Sequence, residues 1–74
     1  IFLESELKLK DIELNDEKSI NNQGQILEIE DDFIIVGCEK GSLKIRTLQA
    51  PSKKAMKAID YIRGQRLEIN SILI

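Results

Sequence analysis

Hydrophobic and polar residues alternate in several short runs of this chain, the period-2 signature of strands with one buried and one wet face. Leu7 and Leu9 alternate with Lys8 and Lys10, and Ile12 and Leu14 resume the alternation one position out of phase. An extra residue restores the phase, so the pattern predicts a first strand with a bulge near Lys10 and Asp11. Residues 15–23, NDEKSINNQ, are polar without periodicity and predict a loop, closed by Gly24. Gln25 to Glu30 sets Leu27 and Ile29 among polar neighbours, Asp31-Asp32 marks a turn, and Phe33 to Cys38 is a nearly continuous apolar run. Together these predict a hairpin whose second strand is buried on both faces. The next reversal falls on Glu39 to Ser42, where Gly41 supplies the positive φ of a tight turn. From Leu43 to about Leu48 a fourth strand points Leu43 and Ile45 one way and Lys44 and Arg46 the other.

Pro51, the only proline, has no N–H to give to a ladder and ends that strand. The period then changes. Ala55, Ile59 and Ile62 recur at i, i+4 and i+7, while Lys54, Lys57 and Tyr61 share a neighbouring face, which predicts one short helix. Ser52 is a candidate N-cap, but Lys53 and Lys54 in a first turn oppose the helix dipole and move the start toward Lys57. Gly64 suits the position just past the helix end. Leu67 and Ile69 open a last strand that Ile72 to Ile74 continue. Five short strands with a single helix before the last one predict a mainly β fold, a small open Greek-key barrel related to the oligonucleotide-binding (OB-like) fold.

Composition narrows the picture. Seventy-four residues make a single domain, 1–74, with a small core. An apolar fraction of 42% beside 32% charged residues is that of a folded globular chain, and with only Phe2, Phe33 and Tyr61 as aromatics the core rests on Ile, Leu and Val. The longest apolar run, Phe33 to Val36, is far too short to span a bilayer, and no secretory leader is visible, so no membrane partner and a cytoplasmic location are expected. A lone Cys38 excludes an internal disulfide, the absence of histidine removes the usual zinc sets, and Asp31-Asp32 lacks the further carboxylates of a calcium loop. No metal is expected. Because the chain begins Ile1-Phe2-Leu3, without a methionine, it reads as a piece of a longer polypeptide.

The net charge of −2 conceals a division. Residues 1–39 carry eleven acids against three bases, −8, and residues 40–74 carry eight bases against two acids, +6. Seven of the bases, Lys44, Arg46, Lys53, Lys54, Lys57, Arg63 and Arg66, fall in one stretch with a single acid, Asp60. Such asymmetry means either a surface that meets a polyanion or two halves that neutralise each other across strands.

The run from Gly24 to Leu67 resembles the C-terminal domain of methionyl-tRNA formyltransferase. In that family a Gly-x-Ile/Val-Leu strand, an apolar strand ending in a glycine-bearing turn, and a Leu-Gln segment precede Lys-x-Met and a short helix of the pattern Asp-aromatic-aliphatic-x-Gly. Here these positions are Gly24, Ile26 and Leu27, then Gly41, Leu48 and Gln49, then Lys54, Met56, Asp60, Tyr61, Ile62 and Gly64. Leu7-Lys8-Leu9 resembles the opening strand. The resemblance implies an open barrel behind a catalytic domain, holding initiator methionyl-tRNA in bacterial translation initiation without reading its sequence. The parent enzyme would transfer a formyl group from 10-formyltetrahydrofolate, a cofactor that this domain itself would not bind. With no histidine, the chain cannot supply the family's Asn-His-Asp catalytic set, so no catalytic residue is expected in it.

On this reading Lys44, Arg46, Lys53, Lys54, Lys57, Arg63 and Arg66 are the candidate tRNA-binding residues, since phosphates attract Lys and Arg without regard to sequence. The bland alternative is a solvated face, and for Arg63 and Arg66 an interaction with the helix carbonyls. Tyr61 either stacks on a base or packs the helix on the core, while Met56 and Cys38 read as core residues. The rival function is a docking module of a formyltransferase acting on a nucleotide sugar or folate, without RNA contact.

Overall fold

A computed structural model describes residues 8–73. The chain runs β1 (Lys8–Ile20), β2 (Ile26–Ile29), β3 (Ile34–Gly37), β4 (Lys40–Gln49), β5 (Met56–Lys57) and α1 (Ala58–Gln65). The fold is mainly β, with a five-stranded antiparallel sheet and one short helix. Leu7 and Ile74, at the ends of the first and last predicted strands, lie outside the described residues.

Strands β2, β3 and β4 form a meander, and β1 lies beside β4, giving the order β1-β4-β3-β2. Three hairpin-joined strands with a fourth returned to the far side of the set make a Greek key. β4 carries the assembly, because its other edge is shared. β3 occupies residues Ser42 to Ile45, and the two-residue β5 pairs beyond it, Thr47 with Lys57 and Leu48 with Met56. The turn 51–55, which Pro51 opens, brings the chain back for that pairing.

The core is aliphatic, with Leu9, Ile26, Ile34, Val36, Ile45 and Leu48 from the sheet meeting Ala58, Ile59 and Ile62 of α1 and Leu73. The buried positions change phase on β1 and β4 at the same place: Leu9 and Leu48 point inward on one side of it, Ile12 and Ile45 on the other. Asp11, with φ of 48°, marks the switch. The register nevertheless keeps one offset from Lys8↔Gln49 to Leu14↔Leu43, passing over Asp11, and its shifts fall later, between Leu14 and Asp16 and between Asp16 and Ile20. The bulge expected near Lys10 and Asp11 is therefore a local twist without an inserted residue.

Three further expectations are corrected. Residues 15–20 belong to β1 rather than to a loop. They lack alternation because that half of the strand is largely exposed, and Asp16 fastens it. Helix α1 begins at Ala58 with Lys57 as N-cap, close to the expected start, but Gly64 lies within it rather than just past its end. The left-handed closing position is Arg66, with φ of 56°, from which the Leu67 N–H reaches the Ile62 carbonyl at 3.1 Å. Ala55 is exposed and precedes the helix, whose buried residues are Ala58, Ile59 and Ile62. The last strand reduces to one bridge, Gln25↔Ile72. Main-chain bonds from Leu73 N–H to Gly24 and from Asn70 N–H to Ile26, both 2.7 Å, and from Ile26 N–H to Ser71, 2.8 Å, lay residues 70–73 along the free edge of β2, and the barrel stays open.

Candidate nucleic-acid interface

In an antiparallel sheet, directly opposed residues share a face. The row Leu9–Leu48–Met56 is the inward one, with Met56 at the sheet margin and 37% exposed rather than a core residue. The next row, Lys10–Thr47–Lys57, therefore points outward across three strands. Lys8, opposite Gln49, continues the same side.

Lys44 also faces outward, its row completed by Glu13 on β1 and Ile35 on β3. Its ammonium lies 4.5 Å from the centre of the Phe33 ring, a cation–π contact that leaves the charge on the surface while its stem covers apolar area. Arg46 differs from the other candidates. Its Nη1 donates to Glu13 Oε1 at 2.7 Å and lies 4.0 Å from Asp11 Oδ1. Donation to Glu13 raises the guanidinium pKa above its ordinary value, so the group stays charged and committed to β1. This is the neutralisation across strands that the opposed halves allow, seen here at Arg46.

Lys53 and Lys54 are exposed on the turn between β4 and β5. That turn is held by Gln49 Nε2 donating to the Lys53 carbonyl at 2.8 Å and by the Lys53 N–H donating to Ala50 at 3.1 Å. Lys57 is exposed three residues beyond Lys54. Among the described residues none of these three lysines, nor Lys10, forms an ion pair. The structure thus brings Lys44, Arg46, Lys53, Lys54 and Lys57 onto β4 and its extension. Arg63 and Arg66 sit at the far end of α1, about 12 Å away along an eight-residue helix, and nothing joins them to the lysines.

A cleft of about 210 Å³ lies between the turn and α1, with Lys53, Met56, Asp60, Tyr61 and Gly64 on its walls. Tyr61 is half-buried and packs against the core. The Asp60 carboxylate on the wall of this cleft makes it unsuited to a phosphate, so the cationic row across β4 is the better candidate. Cys38 is half-buried. Among the described residues no three His, Cys, Asp or Glu are placed to hold a metal ion, and no helix is long and apolar enough to cross a membrane.

Lys10 and Thr47 were not among the candidates read from the sequence. The alternation of Lys8 and Lys10 with leucines set those two lysines on one face, but which strand lies next to β1 is not readable from periodicity.

Residues 1–66 match the family described as formyl transferase, C-terminal domain. The chain is 55% identical over 73 residues to a methionyl-tRNA formyltransferase of Sulfurimonas denitrificans, a match covering 99% of this chain and 24% of that protein. It is 51% identical over 69 residues to the Nitratiruptor sp. enzyme of the same name, covering 93% of this chain and 23% of the relative. Against the Helicobacter pylori (strain ATCC 700392 / 26695) enzyme identity is 49%, with 99% and 24% covered. The chain thus spans about a quarter of the length of these relatives.

Proposed function

The chain belongs to the formyl transferase C-terminal domain family, and from that premise we propose that it is the tRNA-holding part of a methionyl-tRNA formyltransferase. It holds initiator methionyl-tRNA through the phosphate backbone, while the remaining three-quarters of such an enzyme transfers the formyl group from 10-formyltetrahydrofolate. The observation that carries this reading is the set of exposed lysines around the β4–β5 turn, Lys53, Lys54 and Lys57, without carboxylate partners among the described residues. Long-range attraction by unpaired surface cations is sequence-independent and weakened by salt. Lys44 adds to the surface, and Arg63 and Arg66 extend it only where the tRNA bends toward the end of α1.

The test is tRNA binding by Lys53→Ala with Lys54→Ala. Affinity should fall by a similar factor for initiator and elongator tRNAs, because backbone contacts do not discriminate sequence. An unchanged affinity would remove the basis of the proposal.

One observation favours the docking role as a second reading. Leu14 and Ile20 on the distal half of β1 are 59% and 87% exposed, away from the β4–β5 turn, with Lys18, Glu39 and Lys40 around Ile20. That half of β1 suits contact with the rest of a parent chain, and such contact is compatible with RNA binding at the opposite end of β4.

A further inference from the structure

Resting on the tRNA reading, we infer that Lys10, Thr47 and Lys57 form a seat for one backbone phosphate of the RNA, and that Arg46 keeps the seat open by sequestering the carboxylates beside it. Lys10 and Lys57 flank Thr47 on adjacent strands, in register and on the outward face. Neighbouring strands lie about 4.8 Å apart, so the two lysine Cα atoms are separated by about 10 Å, with a hydroxyl midway. Two flexible ammonium groups of that separation converge on an anion placed over Thr47, whose hydroxyl donates to a phosphate oxygen.

The acids of β1 beside this row are Asp11, adjacent to Lys10 in the chain, and Glu13, two positions further along the strand. Left alone, they would pair with Lys10 or repel an arriving phosphate. Arg46 engages both, at 2.7 Å to Glu13 and 4.0 Å to Asp11. Its charge is thereby cancelled locally, whereas those of Lys10 and Lys57 are not. Arg46 is a positioning residue that touches carboxylates rather than RNA.

The test uses the isotope-labelled chain titrated at low salt with an initiator tRNA transcript. Amide shifts should concentrate at Lys10, Thr47 and Lys57. Lys10→Ala and Lys57→Ala should each reduce the slope of log affinity against log salt by about one, in proteins whose dispersed spectra show the native fold. Binding with shifts elsewhere and unchanged slopes would overturn the seat and leave the tRNA reading intact, whereas no binding by the unmodified chain would overturn both. Arg46→Ala should weaken binding, and adding Asp11→Asn with Glu13→Gln should restore it. Failure of that restoration would show that Arg46 contacts RNA directly and would overturn its shielding role.

Discussion

Asp16 was not singled out by its sequence, yet it organises the distal half of the molecule. Its Oδ1 accepts the N–H groups of Lys18 and Ser19 at 2.8 and 2.7 Å, and its Oδ2 accepts the hydroxyls of Ser19 at 2.9 Å and of buried Ser42 at 2.5 Å. Donation from Ser42 first, then from the Ser19 and Lys18 backbone and the Ser19 hydroxyl, favours the charged form and holds this carboxyl well below the usual range. A group whose folded pKa is depressed stabilises the fold above its unfolded value, about 3.9, and loses that contribution as pH falls toward the folded value. Urea midpoints should therefore drop as pH is lowered from about 5 to about 2, and Asp16→Asn should start lower at neutral pH and flatten that drop. An acid profile identical in both proteins would exclude Asp16 as a source of acid sensitivity. Beside it, Gly41 has φ of 92°, and a Cβ there would sit 2.5 Å from the Asp16 carbonyl oxygen. Gly41→Ala should cost at least about 1–2 kcal/mol in denaturant unfolding, the ordinary cost of a side chain in left-handed backbone, with the steric clash added.

At the scale of elements, α1 shows how tertiary context overrides a local signal. Gly64 looks like a stop, yet it is helical and a Cβ there would meet nothing within 4 Å. Gly64→Ala should therefore stabilise the fold by about 0.5–1 kcal/mol, read as an increased midpoint of thermal or urea unfolding. A loss of stability would contradict the assigned helix end. The strands β2, β3 and β4 and the Gly41 turn were legible because alternation, an apolar run and a required positive φ are local properties. The true length of β1 was not, because what defines residues 15–20 as strand is a ladder to residues twenty or more positions away. The last strand failed for a related reason: one bridge at Ile72 leaves no run to read.

At the scale of the whole molecule, the sequence revealed the separation of charge but not its placement. Lys53, Lys54 and Lys57 were legible as a group because they share one turn. The commitment of Arg46 to Glu13 and the arrival of Lys10 opposite Lys57 depend on strand order, which the amino-acid pattern does not encode locally. What emerges is an open barrel with Lys10, Lys53, Lys54 and Lys57 around the C-terminal end of β4, and with exposed Leu14 and Ile20 on the distal half of β1, where Lys18 and Lys40 also lie. The most direct test of the central claim is the affinity of the chain for initiator tRNA between roughly 50 and 200 mM salt. Engagement of about four phosphates predicts a log–log slope of roughly −3 to −4. An affinity indifferent to salt over that range would contradict the account.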